Sequence, residues 1–481
     1  MLTPTITVDV GTTSVKLCLF DVAAQLLASV RQPTPTTKDE AGEIYDLPAL
    51  LGVVRSFVRE LPAAQRAQVR RIAITGVGES GGLVRPDLSL ASPLILWHDQ
   101  RGEGYLAQLS AADRRLVYRT TGLPVSGNYG LSKVAWAVDQ ASGAGDAQWL
   151  NVAEYLAAVM TGQRWSEPSL ASRTMALDLT TRIWSAEVCD LLGLDTNVFP
   201  ELRAASEGTP MTAVFADEVG LDQSVLVHVV GHDHMVGAVG ADLQPGELLN
   251  STGTTEGLLF LRDAPRLDEQ ARGFKLANGL ACAGPGYTLF ASIPTGGSAF
   301  ATLQQMLGID ADQLSASVLD LHERYVQDRI NLDRIPLVLP RFRGSPPPTK
   351  DPSTRGLIGG LRADTGREEI IFGCFLGLVL QLGDVLDLFD TEAQQVKVIG
   401  PASANPLWLQ LKADLLGSPL SASGFGEVVS RGAQALAAGT AGSWAETVPQ
   451  HVLVEPVRHA RLVEWRAAVR PQWEHLKACP S

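Results

Sequence analysis

The chain opens with two runs of period-two, largely apolar residues, Thr5-Ile6-Thr7-Val8-Asp9-Val10 and Val15-Lys16-Leu17-Cys18-Leu19-Phe20, on either side of Gly11-Thr12-Thr13-Ser14. Alternation around a Gly-bearing turn predicts a β-hairpin. The pattern returns in degenerate form at Gly253-Thr254-Thr255-Glu256-Gly257-Leu258-Leu259-Phe260-Leu261-Arg262-Asp263. Gly253 follows Gly11, and Asp263 follows Asp21, at the same separation of 242 residues. A repeated opening hairpin predicts two domains of one design. Between the hairpins, strand-like runs at 71–75 and 225–230 alternate with helical periodicity at 131–140 and 149–160. After the second hairpin the pattern predicts helices over 299–307, 368–388, 407–416 and 431–441, with a strand at 396–399. Such alternation predicts α/β layers, divided into a first domain over 1–245 and a second over 246–481.

Size and composition agree with two lobes and one cleft. The 481 residues exceed one ordinary core and suit two domains of about 200 to 250 residues. With 45% apolar and 19% charged residues, the chain has ample material to bury. A net charge of -13 argues against nucleic acid or an anionic membrane as the main partner. The five cysteines include no C-x-x-C pair, so neither a disulfide scaffold nor a zinc site is expected. The uncharged stretch 276–309 is long enough to span a bilayer, but Pro285, Pro294 and several glycines interrupt it; buried strands and loops are expected there. The amino terminus carries no signal-peptide pattern, and a cytoplasmic location without membrane attachment is expected.

A turn rich in Gly and Thr gathers backbone N–H groups and hydroxyls into a small concavity suited to phosphate. Two such turns on facing domains can grip one polyphosphate; the plainer alternative is that each is only a tight turn. Asp9, just before the first turn, is placed to hold Mg2+ through water, and Lys16 to supply positive charge. Gly231-His232-Asp233-His234 lies where a strand gives way to a small-residue helix. Asp233 is a candidate general base, since an attacking hydroxyl must lose its proton. Capping of the following helix and an H-x-H metal site are the alternatives.

These elements together resemble the FGGY family of carbohydrate kinases, over nearly the whole chain. Asp9 to Lys16 looks like the family's first phosphate loop, and Trp97-His98-Asp99-Gln100-Arg101 like its W-x-D-x-R element. Gly127-Asn128-Tyr129 with Lys133 and Trp136, and Ser169 with Ala171-Ser172-Arg173-Thr174, resemble the next two blocks. Gly231-His232-Asp233 is similar to the segment of the catalytic aspartate, and Gly253-Thr254-Thr255 to the second phosphate loop. The stretch from Gly400 to Asn405, with Trp408, Gln410 and Asp414, resembles the adenosine segment. The resemblance implies two ribonuclease-H-like domains of the actin, hexokinase and Hsp70 kind flanking a central cleft that takes ATP and Mg2+. It implies nucleotide contacts at Gly11, Thr12, Thr13, Lys16, Gly253, Thr254, Thr255, Gly297, Gly400, Pro401, Ala402 and Asn405. Glu79, Trp97, Asn128, Asp233 and His234 would meet the sugar or polyol, Asp9 and Asp233 the metal. Asp233 would be the base; a homodimer is the candidate assembly.

Departures gather where sugar and adenine should lie. Glu79 stands in place of a common glutamine, and Ser80-Gly81 carries neither the Met-His pair of xylulokinases nor the Arg-Glu pair of glycerol kinases. An ionised Glu79 lining the pocket accepts hydrogen bonds and donates none, which predicts a neutral ketose or polyol rather than a sugar acid; a helix cap or a solvent-facing side chain is the alternative. Pro401 replaces a glycine beside Gly400, Glu167 replaces an aspartate two residues before Ser169, and 341–345 differs from a G-E-R loop. His234 either touches substrate or is simply packed. A nucleotide-binding sensor of the same fold, without transferase activity, is the competing function.

Overall fold

The computed structural model describes residues 1–141 and 145–479. The first hairpin is β1 (Thr5–Val10) and β2 (Ser14–Phe20), followed by β3 (Leu26–Pro33), β4 (Arg71–Gly76) and β5 (Leu226–His232). They form a sheet in the order β5-β4-β1-β2-β3, extended beyond β5 by the short strand Thr209–Pro210. The hairpin partners β1-β2 and β2-β3 are antiparallel, whereas β1-β4 and β4-β5 are parallel. Parallel pairs need crossovers, and helical segments between the strands supply them.

The second sheet repeats this order. Its hairpin is β6 (Glu247–Thr252) and β7 (Glu256–Arg262), joined by β8 (Tyr287–Ile293), β9 (Gln395–Ile399) and β10 (Leu420–Ala422). The order β10-β9-β6-β7-β8 has the same parallel and antiparallel pairs, with edge strands Gln450–Val452 and Ala277–Leu280 added. Both bounds of both hairpin strands keep the 242-residue separation. The uncharged stretch at 276–309 thus holds two strands and the whole helix Ser298–Leu307. One helix among the described residues, Arg367–Leu386, is long and apolar enough to cross a membrane, yet 78% of its apolar window is buried within the protein.

Two expectations shift. The helical reading at 149–160 begins with a strand, Gln148–Asn151, because Trp149 and Leu150 pair with Leu83 and Gly82 before the helix Val152–Thr161 starts. The Ala-rich helix runs Val428–Ala437 rather than 431–441, ending just before Gly439, which has φ 63°.

Two helices bring the halves together: α1 (Asp233–Gly240), which leaves β5, and α2 (Val428–Ala437). A Cβ on Gly240 would lie 2.0 Å from the Val428 carbonyl oxygen, and one on Gly432 2.2 Å from that of Val236. Although α2 comes late in the chain, it lies on the first sheet. Gln434 donates to the carbonyls of Asp21 (2.8 Å) and Thr3 (3.1 Å), and Arg431 to that of Ala24 (3.2 Å).

Candidate functional site

The first turn closes through Gly11 N–H to the Ser14 carbonyl, 3.1 Å, and the second through Gly253 N–H to the Thr255 carbonyl, 2.9 Å. Thr34 Oγ1 donates to the Gly11 carbonyl (2.7 Å), and Trp97 Nε1 to Thr12 Oγ1 (2.9 Å). Trp97 thereby ties its own segment to the first turn. Around the second turn, Gly297 N–H donates to the Gly253 carbonyl (2.8 Å), while Gly296 and Ser298 N–H donate to that of Thr254 (3.1 and 3.2 Å). A Cβ on Gly297 would meet the Gly253 oxygen at 2.7 Å and Ala402 Cβ at 3.8 Å. Gly400 adopts φ 99°, open to glycine alone at little cost, and any side chain there would strike Thr252 at 2.5 Å. The second turn, Gly297, Gly400 and Ala402 are therefore drawn together at one place. Pro401 opens a single helical turn, and Asn405 caps the next helix, Pro406–Leu416, by accepting from Trp408 N–H at 2.9 Å.

At the end of β1, Asp9 is buried and its Oδ1 has no hydrogen-bond partner. Burial raises its pKa to about 7; Lys16, with Nζ 3.9 Å from Oδ2, opposes the rise, while Asp233 and Glu427 add to it. Lys16 also lies 3.8 Å from Glu427, just before α2, so this cation faces acids from both halves of the chain. An orphaned buried carboxylate oxygen near a second carboxylate suits a hard divalent cation that keeps most of its water. Asp9 and Asp233 would hold it. Among the described residues no group of three or more His, Cys, Asp or Glu side chains is placed to hold a metal ion.

Asp233 is the first residue of α1, with His232 at the cap position. Its Oδ1 accepts from His234 N–H (2.6 Å) and lies 3.4 Å from His232 Nδ1. Among the described residues no hydrogen bond occupies its other oxygen, and its side chain is 23% exposed. His234 is packed, against Phe290 with ring centroids 4.8 Å apart, and its Nδ1 is 3.1 Å from Ser251 Oγ, two residues before the second turn. Burial lowers the His234 imidazole from its ordinary value. The base candidate and the second turn are linked through this contact.

Glu79 is neither a cap nor solvent-facing. Its Oε1 accepts from Arg173 Nε (2.9 Å) and Nη2 (2.8 Å), and Oε2 lies 3.7 Å from His232 Nε2. Burial opposes its charge, but Arg173 and His232 outweigh burial and hold the carboxyl well below the usual range. Glu79, Arg173, His232 and Asp233 lie in one continuous polar chain. Asn128 stands apart from it, accepting from Gln100 Nε2 at 2.8 Å. The Asn128 turn is secured by Lys133, whose buried ammonium donates to the carbonyls of Gly127 (2.7 Å), Asn128 (3.0 Å) and Tyr129 (3.3 Å).

Three partners escaped the sequence reading. Arg173 lies 94 positions from Glu79, and only its place in an A-S-R-T block hinted at it. Lys350, on the loop closed by Ser345 N–H to the Asp351 carbonyl (2.9 Å), is lowered to about 8 by burial, then by Arg173 and Lys275. Glu256, directly after the second turn, is fully buried in an ion pair with Lys412, whose ammonium also donates to Asn250 Oδ1 at 2.7 Å.

Comparison with known proteins gives the same picture. The model of the N-terminal domain of the FGGY family of carbohydrate kinases matches residues 5–240, and that of the C-terminal domain matches residues 248–441. A glycerol kinase from Bordetella parapertussis is 28% identical over 506 residues, covering 96% of this chain and 95% of that protein. Among solved structures, a ligand-bound xylulose kinase from Lactobacillus acidophilus superposes with a TM-score of 0.84 at 20% identity, covering 97% of this chain and 98% of that one. A glycerol kinase from Plasmodium falciparum with ADP gives 0.84 at 19% identity, covering 98% of each chain.

Proposed function

The chain belongs to the FGGY family of carbohydrate kinases, and we propose that it transfers the terminal phosphoryl group of ATP to a hydroxyl of a small neutral sugar or polyol, with Asp233 as general base. One observation carries the reading: a half-buried carboxylate with one unoccupied oxygen begins α1, joined through His232 to the Glu79–Arg173 pair and through His234 to the strand feeding the second turn. The acceptor hydroxyl would give its proton to that free oxygen as it attacks phosphorus. Backbone N–H groups of the two turns would receive the polyphosphate, and Lys16 would offset its charge. When bound between Asp9 and Asp233, Mg2+ would neutralise charge on the transferring phosphates.

Support for a neutral acceptor is that Glu79 already engages the Arg173 guanidinium, leaving Asp233 to repel an anion. A sugar acid would have to draw on Lys350, a nearby cation from the second half. The deciding assay is ADP release across matched alditols, ketoses and sugar acids. Neutral acceptors should lead; sugar acids outperforming them would reject the neutral assignment. Asp233→Asn should lower kcat by about 10²–10⁴ while leaving ATP affinity unchanged. Retention of more than about a hundredth of the wild-type rate would remove Asp233 from the base role. ATP hydrolysis indifferent to every acceptor would favour the sensor instead.

A further inference from the structure

The peptide that leads into Asp233 departs from regular strand geometry. β5 breaks register between Val229 and Gly231, and Gly231 has φ 126°, a conformation left to glycine. Two side-chain hydroxyls restrain this stretch. Thr75 Oγ1 donates to the Gly231 carbonyl (2.6 Å), and Ser169 Oγ accepts from His232 N–H (3.0 Å). Ser169 is fully buried, and its hydroxyl has a second tie: it donates to Glu167 Oε2 at 2.5 Å. Glu167, only 2% exposed, fixes that oxygen with the N–H groups of Ser169 (2.8 Å) and Leu170 (3.1 Å). Cys282 Sγ, from the segment after the edge strand Ala277–Leu280, also reaches Ser169 Oγ at 3.2 Å. Gly231 itself has no room for a side chain, since a Cβ there would lie 2.4 Å from Cys282 Sγ and 2.5 Å from Ser169 Oγ.

A second buried carboxylate serves the neighbouring loop. Glu154 Oε1 accepts from Ser166 Oγ (2.5 Å) and from Glu167 N–H (3.2 Å), and Oε2 from Asn151 N–H (2.7 Å). The Asn151 amide donates to the carbonyls of Gly78 and Ser80, both at 2.9 Å, on either side of Glu79. The two carboxylates therefore brace the backbone flanking Asp233 and Glu79 from a single connected scaffold.

We propose that Glu167, acting through the Ser169 hydroxyl, is a positioning residue that sets the aim of Asp233 by fixing the His232 peptide. The proposal rests on the kinase reading for its catalytic consequence. The Ser169 hydroxyl can donate in one direction only; Glu167 takes that hydrogen and so leaves an oxygen lone pair for His232 N–H. Without the carboxylate the hydroxyl rotates freely, and the strand end loses its restraint just before the base. A displacement on the scale of an ångström at a reacting group costs on the order of 10²-fold in rate.

The test compares Ser169→Ala, Ser169→Thr and Glu167→Gln in the full-length enzyme, by steady-state kinetics with ATP and the best neutral acceptor and by hydrogen exchange of the peptide containing His232. Ser169→Ala should lower kcat by about 10- to 100-fold with KM for ATP within about twofold, and should speed His232 exchange. Ser169→Thr, which keeps the hydroxyl, should restore most of both. Glu167→Gln retains shape and an acceptor oxygen but cannot ionise, and should give an intermediate kcat; it also serves if Ser169→Ala does not fold. A Ser169→Ala enzyme with lowered Tm but wild-type kcat, or one with unaltered His232 exchange, would overturn the proposal. If the wild type phosphorylates no acceptor, the kinase reading fails by itself, and the exchange measurement still decides whether Ser169 restrains the strand end.

Discussion

Replacing Gly432 by Ala pits a local gain against a tertiary cost, and the structure fixes the sign. Alanine is favoured over glycine inside a helix by about 1 kcal/mol, and Gly432 lies midway along α2. Its added Cβ would meet the Val236 carbonyl oxygen at 2.2 Å, Gly240 N at 2.7 Å and Gly240 Cα at 3.1 Å. All three atoms are backbone of α1, so no side-chain rotation relieves the contact, and α1 must withdraw by roughly 1 Å to reach ordinary packing distance. Overpacking of this kind costs about 1–3 kcal/mol, and the separation also loosens the contacts of Val236 with Ala433 and Leu436. The cost therefore exceeds the propensity gain, and Tm should fall by roughly 2–6 °C. Because α1 begins at Asp233, kcat should fall as well, by up to about 10²-fold. Gly52→Ala is the matched control: a methyl on that helix glycine would meet nothing within 4 Å, so the substitution should leave kcat alone and stabilise slightly. Calorimetry and steady-state kinetics on both variants decide the matter. A Gly432→Ala enzyme as stable and as fast as the wild type would refute the close-packed crossing.

Glu154 and the proposed nucleotide site give two further expectations. Burial raises the Glu154 pKa to about 7, so its folded form favours the proton, and its contribution to stability, full below the unfolded value of 4.5, is lost as pH rises through about 7. Glu154→Gln removes this dependence; the Tm difference, variant minus wild type, should become more positive between pH 5 and pH 8 by an amount worth roughly 2–3 kcal/mol, and a difference flat with pH would show that Glu154 is not held protonated. Gly297→Ala drives a methyl to 2.7 Å from the Gly253 carbonyl. It should weaken a nonhydrolysable ATP analogue about tenfold or more by calorimetric titration, a loss of roughly 1.4 kcal/mol, and unchanged affinity would take Gly297 out of the proposed site.

Local pattern carried much of this architecture. Alternation and the two G-T-T turns located both hairpins, and the apolar runs at 71–75 and 396–399 became β4 and β9 with an end residue or two added. Strand 148–151 was hidden because Trp149 and Leu150 fit a helical stripe as well as a buried strand, and only the partner at Gly82 and Leu83 decides between them. Site geometry was less legible, since charge pairing is set by tertiary approach. Glu79 reads as an open acceptor until Arg173 is brought to it, and Glu256 after the second turn looks solvent-bound until Lys412 arrives from 156 positions away. Asn405, expected at adenosine, also accepts from Trp408 N–H and caps the following helix, a second role that N-cap preference makes available to the same residue type.

The 242-residue correspondence between the hairpins sets Asp9 opposite Ser251, and Lys16 opposite Leu258. The duplicated scaffold is accordingly unequal in ionic character: one copy carries an acid and a cation beside its turn, while its counterpart carries a hydroxyl and a leucine sealed in the core. An ammonium set at position 258 would be shut away from water in an apolar cluster, so the two hairpins cannot trade these residues although their strand connectivity is the same.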